Sequence, residues 1–151
     1  MEYTLDITLK TRAIFLNMLE NYTLEQLNKK PEGFNNTIFW NIKHIVVTQQ
    51  LLTYGLSNLP LLVTESETED FRKGSKSKID ALKQDVELLK KQLFSTLEQT
   101  VMDYKNGVFK SFTPYTVSTK STLTNVEEAF QFNNFHEGIH LGYIMALKKG
   151  L

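Results

Sequence analysis

The run Ile79, Leu82, Val86, Leu89, Leu93 and Leu97 narrows the possible folds of this chain more than any other feature. Its steps of three and four residues place these apolar side chains on one stripe of a single helix. A half-buried strand would alternate at every second residue, and this segment does not. The stripe predicts a helix over residues 78–104 that packs lengthwise against other helices, with Asn106 and Gly107 ending it.

Three more segments carry the same period. A first helix is expected over residues 4–21, with Leu5, Leu9, Phe15, Leu16 and Leu19 at its apolar positions. Thr23 and Gln26 have capping-box spacing, so a short helical turn over residues 23–27 follows, stopped by Pro31 and Gly33. The second long helix starts near Thr37, where Asn35, Asn36 and Thr37 offer N-caps. It ends near Gly55 or Leu56, before Pro60. The last covers residues 125–149, with Lys148 and Lys149 set against its C-terminal dipole. Residues 59–75 read as a connection long enough to cross a bundle. Residues 108–124, rich in Thr, Ser and aromatics, read as an ordered loop, although their alternation is compatible with a short strand. The expectation is all-α, a four-helix bundle with a long crossover. A chain of 151 residues suits one domain spanning 1–151.

Composition removes several function classes. Formal net charge is zero, so no global field favours nucleic acid or an anionic membrane. The basic run over residues 72–78 directly follows Glu65, Glu67, Glu69 and Asp70, as a solvated loop and helix start would. Cysteine is absent, which eliminates disulfides, thiolate ligands and cysteine nucleophiles together. No segment approaches the roughly 18 apolar residues of a membrane span. The N-terminus also lacks the basic and apolar regions of a signal peptide. The expected location is the cytoplasm.

The chain has three histidines, and all sit where helices can aim them at one point. His136 and His140 are one helical turn apart on one face of the last helix, with Ala129, Phe132, Ile139, Tyr143 and Leu147. His44 shares a face of the second long helix with Trp40, Val47 and Leu51. Bundle cores assemble metal sites from facing helices, and imidazole is the commonest transition-metal ligand. Three imidazoles would leave positions open for water or substrate. A core histidine bonded to a carbonyl or a buried water is the alternative reading.

His136, Glu137 and His140 also match the zincin peptidase pattern. A zincin needs a third ligand downstream, yet only eleven residues follow His140 and none is His, Asp or Glu. What remains is His44 as third ligand, with Glu137 either a weak candidate for proton transfer or a solvated surface carboxylate. Trp40 and Tyr143 are candidates to wall the same pocket, or else are core side chains. Gln49 and Gln50 read as solvent-exposed. Gly138 and Gly142 fit close packing against another helix. With Phe130, Leu141 and Met145 on an outward sector, they point to a homodimer, unless the 108–124 loop covers them.

Two blocks carry a family resemblance: residues 37–44, Thr-Ile-Phe-Trp-Asn-Ile-Lys-His, continuing to Tyr54-Gly55-Leu56, and residues 136–144, His-Glu-Gly-Ile-His-Leu-Gly-Tyr-Ile. With the long third helix between them, the chain resembles the DinB-like, or YfiT-like, metal-binding four-helix bundles over essentially its whole length. The resemblance implies an up-down-down-up bundle, often dimeric, with a divalent metal on His44, His136 and His140. Zn, Ni and Fe all suit such ligands. Some members are thiol-dependent transferases or isomerases using bacillithiol, mycothiol or a related thiol. The family name refers to damage-inducible genes and does not imply DNA binding. Three functions follow as expectations: a metal-dependent thiol transferase acting on a small molecule, a metal-dependent hydrolase, and a non-catalytic metal- or ligand-binding stress-response protein.

Overall fold

The computed structural model describes residues 1–77 and 79–151. Among the described residues, four long helices form the bundle: α1 (Glu2–Asn21), α3 (Ile38–Gln50), α5 (Lys83–Lys105) and α6 (Val126–Leu147). Two short helices, α2 (Leu24–Asn28) and α4 (Glu65–Phe71), lie in the connections.

Side-chain pairs between the helices set their directions. Thr8 bonds Asn134 and Arg12 bonds Glu137, so α1 and α6 run parallel. Asn41 meets His140 and His44 meets His136, so α3 runs against α6. Lys43 reaches Gln92 and Gln49 reaches Thr100, so α3 and α5 are parallel. The result is an up-down-down-up, all-α bundle. Parallel α3 and α5 demand a connection that travels the bundle's length, which residues 56–82 provide.

That connection carries a short helix of its own. Thr64 and Glu67 form a reciprocal capping box that nucleates α4 inside it. The start of α5 differs from the expected one. Lys78 lies outside the described residues, and Ile79 and Leu82 are 87% and 58% exposed instead of extending the buried stripe. Asn28 makes both backbone bonds to Ala81, and the Asp85 carboxylate accepts from the Leu82 N–H. These bonds hold the chain extended, so the helix begins at Lys83. From Val86 onward the stripe is core, with Leu89, Leu93 and Leu97 buried.

In α1 the buried face is Thr8, Arg12, Phe15 and Leu19, while Leu9 is exposed. The second long helix is α-helical only to Gln50, then widens into a π turn over Leu51–Gly55. The Thr53 hydroxyl donates to the Gln49 carbonyl at 2.8 Å, a bond of the kind that bends helices, beside this widened turn. Gln49 and Gln50 are buried, not solvated. Gln49 donates to the hydroxyls of Thr53 and Thr100, and Gln50 accepts the Leu62 N–H, which ties α3 to α5 and to the crossover. Residues 108–124 are loop except for β1 (Tyr115–Thr116) paired antiparallel with β2 (Thr122–Leu123).

Candidate metal centre

Helix α3 supplies His44, and α6 supplies His136 and His140. One ligand nitrogen from each lies within 4.8 Å of the other two. The Nε2 atoms of His44 and His136 are 3.2 Å apart. Two imidazole nitrogens on a tetrahedral zinc, each about 2.0–2.1 Å from the metal, would stand about 3.3 Å apart.

The surrounding bonds set which nitrogen of each ring is free. His44 donates from Nδ1 to the Phe71 carbonyl at 2.5 Å. His140 donates from Nδ1 to Asn41 Oδ1 at 2.8 Å. The Asn41 amide is itself oriented, because its Nδ2 donates to the Thr37 carbonyl at 2.7 Å. Both rings therefore present an Nε2 lone pair to the centre, the protonation pattern that carbonyl partners impose on metal-binding histidines. His136 Nδ1 is buried without a hydrogen-bond partner among the described residues. Trp40 stacks on His44, with centroids 4.7 Å apart and planes 12° from parallel. Its Nε1 donates to the Asp70 carbonyl, so α4 and its C-terminal end hold both Trp40 and His44 in place.

Electrostatics also keep these rings neutral. Burial, reinforced by the other two histidines, pushes His136 down to about 3. Burial and His44 push His140 down to about 4. Burial lowers His44 as well, against its bond to the Phe71 carbonyl. Ligands must be deprotonated to bind a metal, and these rings already are at neutral pH. The donor set fits a divalent transition metal.

A cleft of about 850 Å³ opens beside the histidines along the α3–α6 groove, with Trp40, Thr48, Phe132 and Tyr143 in its wall. Tyr143 meets Phe34 edge-on at 5.3 Å, which fixes its ring. Among the described residues, no Asp or Glu lines the cleft.

Glu137 lies elsewhere. It is fully buried, not a solvated carboxylate, and its Oε1 accepts from Arg12 Nε and Nη2 and from Asn133 Nδ2. Arg12 also donates to the Leu93 carbonyl and the Thr96 hydroxyl, joining α1, α5 and α6. Burial raises the Glu137 carboxyl against the opposing pull of Arg12. The reason for the miss is rotational. The innermost face of α6 carries Phe130, Asn133, Glu137 and Ile144, while the histidines sit at its edge and Ile139 is exposed. Phe130, expected outside, is core. Gly138 and Gly142 face open space, with no other element of the described residues within 4 Å of a Cβ added at either.

Residues 8–144 match the family model of the DinB superfamily. The chain belongs to the DinB superfamily. A search of curated proteins finds no match. For this DinB-superfamily bundle, the sequence pointed to the histidines but not to their supports. Asn41 and the Phe71 carbonyl gave no separate signal. The capping-box spacing of Thr64 and Glu67, not used in reading the sequence, is the local signal for the helix that carries Phe71. Among the described residues, no helix is long and apolar enough to cross a membrane.

Proposed function

We propose that this protein holds a divalent transition metal on the Nε2 atoms of His44, His136 and His140 and uses it in thiol transfer to a small electrophile. The observation that carries the reading is the site's one-sidedness. Three ligand nitrogens converge at the wall of an open cleft that no carboxylate lines. When bound, the metal would favour the thiolate form of a thiol cosubstrate.

The chain's own residues bind, orient and exclude water. The Phe71 carbonyl and Asn41 fix His44 and His140, and Trp40 and Phe132 shield the histidines' flank. The thiol proton goes to solvent, the sulfur lone pair attacks the electrophilic carbon, and the leaving group departs with its bonding electrons. With no cysteine in the chain, the sulfur must come from outside it. Such thiols stay reduced in the cytoplasm, where we place the reaction.

Metal-assisted hydrolysis fits less well, because Glu137, its candidate proton carrier, faces Arg12 and not the cleft. A passive metal store fits less well too, because the cleft leaves room beside the ligands.

The test starts with metal content in wild type, His44→Ala and the double variant His136→Ala, His140→Ala. Wild type reconstituted with Zn, Ni or Fe is then assayed with bacillithiol, mycothiol or glutathione and a chromogenic aryl halide. The expected result is near-stoichiometric metal and a metal-dependent rate, both lost in the variants. Metal bound without any rate above background would remove thiol transfer, and no metal after reconstitution would remove the site.

A further inference from the structure

The cleft has two chemically different ends, and the antiparallel register of α3 and α6 fixes where they lie. At the α3 N-terminal end, Asn36, Lys73 and Lys76 border it. The Ser77 N–H donates to Asn36 Oδ1 at 2.9 Å, which ties the lysine-bearing segment to that end. At the other end stand Leu52, Val117 and Phe132, part of a second apolar cluster separate from the main core. His44 lies eight residues from both Asn36 and Leu52.

Charge is one-sided at the first end. Lys73 and Lys76 have no ion pair among the described residues, and of the acids on α4 Glu65 and Asp70 are likewise unpaired but do not line the cleft. Glu67 pairs with Lys43, and Glu69 with Arg72. Among the described residues, the cleft wall thus carries cationic groups at one end, an apolar surface at the other and no carboxylate to repel an anion.

We propose that the cleft takes an amphipathic anion, with a carboxylate or phosphate at Lys73 and Lys76 and an apolar body laid past the histidines towards Leu52 and Phe132. This rests on reading the cleft as the substrate site, and it gives that substrate its chemical class. A pocket of this volume holds a ligand of drug size, lined mostly by apolar groups with a few polar ones that fix orientation.

Trp40 is the only tryptophan of the chain and lies in the cleft wall, so its emission reports on occupancy. The full chain, both stripped of metal by chelation and reloaded with zinc, is titrated with decanoate, decyl phosphate, decanol and decylamine. Calorimetry follows the same titrations. The stripped sample removes direct carboxylate–metal bonding as an explanation. Decanoate or decyl phosphate should bind at least tenfold more tightly than decanol, with decylamine weakest, and hexanoate should bind more weakly than decanoate. The better of the two anions identifies the headgroup. In Lys73→Glu, Lys76→Glu, both exposed positions, the preference for anions should vanish while decanol binding stays. Equal affinity for anion and alcohol, a preference surviving that double change or seen only with zinc present, or no saturable signal in either readout, would overturn the proposal. Because the stripped protein is tested without catalysis, its result stands apart from the metal and thiol-transfer assays.

Discussion

The buried Arg12–Glu137 pair should behave as a structural strut and not as part of the reaction. Both side chains are 0% exposed, and Arg12 donates two bonds to Glu137 and others to Leu93 and Thr96. Arg12→Met leaves a buried carboxylate with Asn133 as its sole donor among the described residues. Removing one partner of such a pair costs about 3–5 kcal/mol. For a domain of this size that corresponds to a fall in Tm of about 6–20 °C. Glu137→Gln keeps the shape but removes the counter-charge of Arg12, and about 3 kcal/mol is expected. In the double variant Arg12→Met, Glu137→Met, no charge is left unpaired, so its cost should fall well below the sum of the singles, with a coupling of 2 kcal/mol or more, on the order of close buried pairs. Urea unfolding of the four proteins, with equal m-values, gives the cycle. Metal content of folded Glu137→Gln should match wild type, because Glu137 does not line the cleft. Additive single effects under about 1 kcal/mol would refute the strut. Metal or activity lost from a well-folded Glu137→Gln would refute its separation from the site.

Three further outcomes are expected. Asn41→Leu removes the acceptor that orients His140, so metal affinity in a chelator competition should fall about 10–100-fold with stoichiometry retained; unchanged affinity would mean the carbonyl is dispensable. Burial pushes His136 down to about 3 and His140 down to about 4 and lowers His44 as well, so metal affinity should depend less on pH just below 7 than it would for ordinary imidazoles. In the metal-free protein, depressed histidine pKa values give stability that is present above about 6.5 and lost as pH falls towards 4 and 3, which urea midpoints across that range will read. The outward face of α6, with Phe135 and Met145 exposed around Gly138 and Gly142, is proposed as the homodimer contact. Sedimentation should give a dimer for wild type and a monomer for Gly142→Glu, and a monomeric wild type would end that reading.

The sequence by itself determined the helices and the ligand candidates. Period 3.6 is a local property, so Leu89, Leu93 and Leu97 announce a buried stripe wherever the helix ends up. The i,i+4 spacing of His136 and His140 guarantees a shared face for the same reason. Local spacing cannot fix how far each helix rotates about its axis in the bundle, since that follows from packing against every neighbour at once. A rotation of α6 by a fraction of a turn is what buried Glu137 and Phe130 and left the histidines at the edge of an open cleft. The same holds for Arg12, whose partners are 81 and 125 residues away along the chain. Likewise, the Phe71 carbonyl orients His44 only because the crossover brings α4 back against α3, and Asn41 orients His140 only because α3 packs against α6. Long-range register, which no short window of sequence contains, turned a pair of helical patterns into a site.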